Sequence, residues 1–440
     1  MELHVINTAR RAYLGYVKTP FSIVLLSCSL THSVCQERKM KPLVFLIILI
    51  LCSACAPQGV PVAESSPTLI AMPASTSFPA EEITSAQLPP SPTPLFSIMI
   101  DSVAIDQQGG LYASGFGDQD DLRHFAHWDG ASWTELGTGL QIAGNTLVAD
   151  REGYLYTNIL TDSEHGAATA MVRWDGSRWE DITGNFNSVV DELKASRVSS
   201  NIPVTAMALD GEDNLYAAGM FYYPTEDYVN EWPIGYVAKW DRQTWTVLGH
   251  GFDMINIYGL AVSPEGTVYV SGEQPAPPEG NSCYIAQWEG GKWMQVNTGN
   301  LDWCSQGLVL DKSGHLFVAG QSNTTGVFIA YWDNSDWTMI TAQLGGEAPA
   351  VYDMAADQNG HLCIGGSFTS VSNIAAQNLA CWDSQSWYTL GDGFNERVNA
   401  LAFSPIGELY AVGFFTEAGG LLAYHAARWD GERWFALGEN

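Results

Sequence analysis

Seven polar side chains hold one position in a repeating pattern: Asp101, Asn145, Thr205, Tyr258, Gln306, Tyr352 and Asn399. Each stands five residues ahead of a short turn, and Asp353 follows Tyr352 directly. Carboxylate, amide, hydroxyl and phenol groups at one mouth would offer a small polar ligand both donors and acceptors. A second group is aromatic. Tyr222, Tyr223, Tyr228 and Trp232 crowd one segment, with ring faces suited to stacking on sugars or gripping a protein. His124 and His425 occupy equivalent positions, where rim packing is the expected role. Ser, His and Asp assemble into no nucleophile motif, and the chain has no CxxC or Cys/His cluster. No catalytic group, metal or cofactor is therefore expected.

The elements that must position these groups are written in the tryptophans. Fourteen of sixteen form pairs five residues apart: Trp128/Trp133, Trp174/Trp179, Trp240/Trp245, Trp288/Trp293, Trp332/Trp337, Trp382/Trp387 and Trp429/Trp434. Successive pairs lie 46, 66, 48, 44, 50 and 47 residues apart. Each pair brackets a hairpin opening with Asp or Glu, so its two indoles should face each other across neighbouring strands. Upstream, a turn opens with Asp106, Asp150, Asp210, Ser263, Asp311, Asp357 or Ser404, a short polar residue that caps backbone N–H groups. A β-rich strand such as LYASG or LYAVG follows. In the strand before the turn, small residues flank a large aliphatic or Met (Val103, Leu147, Met207, Leu260, Leu308, Met354, Leu401), so successive sheets can interlock. The reading is all-β: a seven-bladed β-propeller with four antiparallel strands per blade. Its repeats run about 98–141, 142–190, 204–250, 257–299, 304–344, 350–394 and 397–440. A helix is expected at Ser188–Ser196, within the insertion that lengthens the second interval. Closure of the ring is expected by packing of the first and last repeats, unless residues 90–97 add a strand.

The order of small-Gly strand, loop, aromatic-Asp and Trp resembles the kelch-type repeat over residues 98–440. The unit WDGxxWxxLG with LYxGG also resembles bacterial extracytoplasmic propellers related to galactose-oxidase central domains, and the repeats of fungal cortical polarity markers. Only Gly365-Gly366 keeps a double glycine, and the oxidase's copper-ligand set has no counterpart. The resemblance therefore implies a fold and carries no activity.

Before the repeats the composition changes twice. Residues 43–51 form an apolar run behind Lys39 and Lys41, and Ser53-Ala54-Cys55 resembles a bacterial lipoprotein box. Residues 1–39 then read as an over-extended start, 40–55 as the signal peptide and Cys55 as the lipidated residue. Residues 56–95 hold nine Pro and only three Glu as charges, the composition of a disordered tether. Residues 96–440 form the propeller. Net charge is −29, and beyond residue 55 there are 13 Lys/Arg against 46 Asp/Glu, a field that repels nucleic acid and anionic membranes. Membrane contact is expected only through the lipid anchor. Two disulfides, Cys283–Cys304 and Cys363–Cys381, would suit an oxidising compartment.

The leading expectation is a monomeric, non-enzymatic, extracytoplasmic lipoprotein on a bacterial membrane, facing the periplasm or the cell surface. It would bind a glycan or protein partner through the loop face at the channel mouth. The alternatives are a propeller enzyme (a carbohydrate oxidase or a metal-assisted hydrolase or lyase) and a structural spacer.

Overall fold

A computed structural model describes residues 96, 98–117, 123–137, 146–163, 166–191, 204–221, 234–249, 252–253, 256–276, 280–296, 303–322, 326–340 and 343–437. The expectations for the signal segment, Cys55 and the tether lie outside these residues. So do Asn145, Tyr222, Tyr223, Tyr228 and Trp232, and the side chains of Cys283, Cys304 and Gln306.

The described fold is all-β. It is built of four-stranded antiparallel sheets whose strands follow one another in chain order, as in a β-propeller. The first sheet runs Met99–Ile105, Leu111–Phe116, Arg123–Trp128 and Trp133–Glu135. Each Trp pair joins the third and fourth strands of its sheet in direct register. The facing indoles touch in most sheets, with centroids 5.3 Å apart in Trp128–Trp133 and 5.4 Å in Trp429–Trp434.

The opening turns are capped as expected. Asp106 Oδ1 accepts from the Gln108 and Gly110 N–H groups at 2.9 and 2.7 Å. Its other oxygen faces the Tyr112 hydroxyl at 3.4 Å, and Tyr156 and Tyr216 make the same bond to Asp150 and Asp210 at 2.9 and 3.1 Å. Burial first, and the Asp106 charge second, push the Tyr112 pKa up to about 12, so the phenol stays a donor. Two sheets lack that hydroxyl, having Phe317 and Cys363 in its place. There a histidine four residues past the turn acid takes its place: His315 reaches Asp311 at 2.8 Å and His361 reaches Asp357 at 3.0 Å.

The core is not one mass but a series of layers between consecutive sheets. Small residues of one first strand meet the large residue of the next: Ala104 clusters with Leu147, Ala206 with Leu260, and Ala355 with Leu401. Ala400 of the last sheet clusters in turn with Val103 of the first, so the interlocking closes on itself. Phe96 is buried in that seam and meets Trp133 edge-on at 5.6 Å; among the described residues no added strand closes it.

The second tryptophan of a pair also ties its sheet to the one before. Trp179 donates its indole N–H to the Leu136 carbonyl at 2.8 Å, Trp245 to Ile182 at 2.9 Å, Trp293 to Leu248 at 2.7 Å and Trp434 to Leu390 at 2.8 Å. Trp133 bonds the Leu437 carbonyl, linking first sheet to last. The acceptor always lies three residues beyond the preceding sheet's second Trp. Where a Gly follows it, as at Gly137 and Gly249 (both φ 79°), the chain turns left-handed and leaves room for the neighbouring indoles. Trp387 is the exception: its buried N–H has no partner, and Trp382 instead packs on Phe317 and Tyr331 of the preceding sheet.

Three elaborations depart from the repeat. The expected helix forms at Phe186–Asp191, earlier than Ser188–Ser196, because burying Phe186 against Trp245, 4.8 Å away, anchors its start. Asn185 fixes that anchor with two bonds to the Trp245 backbone, at 2.8 and 3.0 Å. Short hairpins cap the last two sheets: Ser370–Val371 with Ile374–Ala375, and Glu417–Ala418 with Leu421–Leu422. Cys363 and Cys381, opposite one another on adjacent strands, form a disulfide.

Replacing Trp179 by Phe removes one inter-sheet bond and strands a buried carbonyl, so urea unfolding should show a loss of about 1–3 kcal/mol. Cys381→Ser opens a cross-link spanning 18 residues, and calorimetry should record a further destabilisation of about 3 kcal/mol.

Candidate binding site on the loop face

The polar position singled out by the repeats is a β-bulge. Asp101, Thr205, Tyr258, Tyr352 and Asn399 are each the extra residue where the first strand slips register against the second. A glycine opposite makes the bulge possible. A Cβ on Gly366 would lie 2.0 Å from the Ala350 carbonyl oxygen, and one on Gly413 would lie 2.3 Å from that of Arg397. Gln306 lies between two such slips.

Most of these side chains are already engaged within the fold. Asp101 is paired with Arg123, and Ser114 donates to the same oxygen at 3.3 Å. Burial raises the Asp101 pKa while the guanidinium pulls it back. Thr205 faces the Ala218 carbonyl at 3.4 Å, and Asn399 donates to the Ile100 carbonyl at 3.0 Å, beside Asp101. Tyr258 is half-buried and has partners of its own. Asp353 accepts from the N–H groups of Met354 and Leu401, both at 2.8 Å, and so staples two adjacent first strands. The residue keeps some exposed surface, but its carboxyl is withdrawn from water, which pushes its pKa up to about 6 against the pull of the two donors. A raised carboxyl pKa often marks an acid–base catalyst. Here both oxygens face backbone donors, which makes the group a staple.

The open space lies slightly outside that ring. A cleft of about 730 Å³ is formed by the connections entering the last two sheets and by the second-to-third-strand loop of the first of these two. Glu347, Thr369, Gln377, Asn395, Glu396 and Arg397 line it, and all six are exposed. Its walls are fixed from below. Asn378, buried and left-handed at φ 63°, accepts from Phe368 N–H at 3.1 Å and donates to the Phe394 carbonyl at 2.9 Å. Arg397 lies over the Phe414 ring at 4.0 Å and near Tyr352 at 5.4 Å. Stacking holds the guanidinium plane and leaves its edge N–H groups to the cleft. Among the described residues it makes no ion pair.

The clefts on the opposite face, formed by the turns and Trp hairpins, differ in this respect. One of about 670 Å³ contains Arg428, which is paired to Glu408 at 2.7 Å. Another of about 610 Å³ contains Arg173 and Arg242, paired to Glu180 at 2.6 Å and to Asp213 at 3.3 Å. Each of these guanidinium groups is paired with a carboxylate. His124 pairs with Glu135 at 2.7 Å, His425 is buried at φ 66°, and no group of three metal-ligating side chains occurs among the described residues. Sequence reasoning singled out this loop face and Tyr352 but did not note Arg397. The available signal was that Arg397 is the sole charge two residues ahead of the polar position in any repeat.

No family model and no curated protein sequence matches the chain. Solved structures resemble it in shape. The β-propeller domain of the trilobed protease from Pyrococcus furiosus matches with TM-score 0.48 and 10% identity, over 78% of this chain and 99% of that one. YCF48 bound to D1 peptide matches with TM-score 0.42 and 14% identity, over 74% and 92%. The acylaminoacyl peptidase of Pyrococcus horikoshii matches with TM-score 0.49 and 11% identity over 78% of this chain, which spans only 52% of that protein. Likeness at this level carries no activity; the sheets themselves define the propeller class.

The folded Asp353 carboxyl has a pKa above its ordinary 3.8, so its contribution to stability is complete below that value and is lost as pH rises through about 6. The unfolding free energy of the native chain, minus that of Asp353→Asn, should therefore fall between about pH 4 and about pH 7. A flat difference in urea titrations would assign the group an ordinary pKa.

Proposed function

We propose that the chain is a seven-bladed, kelch-like β-propeller that binds a macromolecular partner through its loop face and performs no chemistry of its own. The observation that carries the reading is the loop-face cleft, where a stacked arginine free of carboxylate partners among the described residues shares the lining with Glu347 and Glu396. Such a site presents donors and acceptors on a fixed platform and no group poised to attack a bond. The buried Cys363–Cys381 disulfide supports an extracytoplasmic setting. The lipobox-like Ser53-Ala54-Cys55 and the proline-rich stretch after it support display from a bacterial membrane on a lipid-anchored tether.

Binding tests this directly. Arrays of glycans and extracts of surface proteins, probed with the native chain and with Arg397→Ala, should show a ligand whose retention falls at least about tenfold in the variant. Arg397 is exposed, so far-ultraviolet circular dichroism should not change. A ligand retained equally by both forms places binding elsewhere on the molecule.

A further inference from the structure

The hairpin that caps the last sheet presents an apolar surface that the fold does not use. Leu421, Leu422 and Tyr424 are 51%, 55% and 40% exposed. The other large apolar residues exposed to this degree among those described (Ile98, Met294, Met339 and Ile406) stand singly along the chain. Neighbouring residues of a strand point to opposite sides. Two adjacent leucines both half-exposed therefore mean that this strand stands proud on both faces. It pairs only with Glu417–Ala418, so its outer edge is open among the described residues. Exposed edges usually carry a lysine or proline that discourages pairing; this one carries neither.

The surface is also rigid. Gly419 turns left-handed at φ 56° directly against Trp434, where a Cβ would come within 2.7 Å of the indole. Asn395 accepts from the Thr416 and Glu417 N–H groups at 3.0 and 2.9 Å, and the Gly419 N–H donates to the Gly393 carbonyl at 2.7 Å. Phe394 underneath is buried 4.4 Å from Phe415 and 4.7 Å from Trp434. The segment carrying Glu396 and Arg397 is thus bound to the hairpin, and cleft and apolar edge form one platform.

Charge selects what that platform can take. Asp392, Glu396 and Glu417 are exposed around the hairpin, and Asp392 comes within 4.0 Å of the space beside Gly420. Arg397 is the nearby cation, and the chain as a whole carries −29. Acids rimming an apolar edge attract a cationic partner with aliphatic side chains and repel an anionic one. A sugar would find few apolar contacts to match two leucines standing on opposite sides of a strand.

We propose that this platform docks an extended, basic segment of a partner protein, with aliphatic residues against Leu421, Leu422 and Tyr424 and lysines or arginines against Asp392, Glu396 and Glu417. The proposal rests on the reading of the loop face as the binding face. The probe is a short peptide of alternating lysine and leucine, with a glutamate–leucine peptide of equal length as its counterpart and fluorescence anisotropy as the readout. The lysine peptide should bind, and the glutamate peptide should not. Leu421→Ser with Leu422→Ser should weaken binding at least about tenfold. Asp392→Asn, Glu396→Gln and Glu417→Gln together should weaken it similarly and flatten its dependence on salt. Each substituted side chain is exposed, and circular dichroism verifies that the variants fold. Lysine-peptide binding that neither set of substitutions changes overturns the proposal. So does a glycan whose binding falls in Arg397→Ala but not in the serine variant, an outcome that leaves the loop-face reading intact. Failure of both peptides, with array binding indifferent to Arg397→Ala, removes that reading as well.

Discussion

The fold depends on one bond repeated between sheets, from an indole N–H to the carbonyl three residues beyond the previous sheet's second tryptophan. A four-stranded sheet of this size buries little on its own, so its stability must come from neighbours on both faces. Aliphatic layers provide that burial without fixing how far one sheet slides along the next. The indole bond supplies the missing register, because donor and acceptor meet at only one offset. Its net contribution is only about 1 kcal/mol per bond, but the cost of leaving the buried carbonyl unmet penalises every other offset. The Leu-Gly that follows four of the seven Trp hairpins is thereby explained. Leu provides the acceptor, and Gly provides a left-handed turn with no Cβ where the next indole must lie.

The same economy of parts governs the first strands. A bulge re-aims one residue in most of the sheets, and the glycine ending the second strand is its steric complement. The turn acid below is held by whichever donor the sheet offers: a tyrosine hydroxyl in the first three sheets, a histidine where Phe317 or Cys363 removes it. The disulfide occupies the register position at which Tyr156 faces Arg173 and Tyr410 faces Arg428. One pairing site therefore accepts a tyrosine–arginine pair or a covalent bond without altering the sheet.

This explains what could and could not be read from the chain. Tryptophan spacing, turn acids and the small-large-small strand pattern are local, and each led to the element that formed. The polar position before each turn was legible as a position but not as a bulge, because a bulge is a relation between two strands. Its residues looked like a ligand-ready ring, yet Asp101, Asp353 and Asn399 are occupied by Arg123, Leu401 and Ile100. Two of those partners are backbone atoms of neighbouring repeats, which no pattern within one repeat reveals. Arg397 and the leucine edge escaped notice for the opposite reason. Each occurs once, and a reading built on repetition discounts what is not repeated.

That asymmetry bears on where function lies. Features repeated from sheet to sheet serve the ring: capped turns, indole bonds and bulges end in intramolecular bonds. Most of the described arginines follow the same rule. Arg123, Arg151, Arg173, Arg242 and Arg428 are each neutralised by an acid within the fold, which leaves the surface to the excess carboxylates. Arg397 is held by stacking, and the leucine hairpin is held by Trp434 and Asn395, so both are fixed without their outward groups being satisfied. A rigid surface with unsatisfied donors and uncovered apolar edges costs stability unless something else covers it. Among the described residues, only the last two sheets bear that cost in both forms at once, on the face where the sequence is least regular.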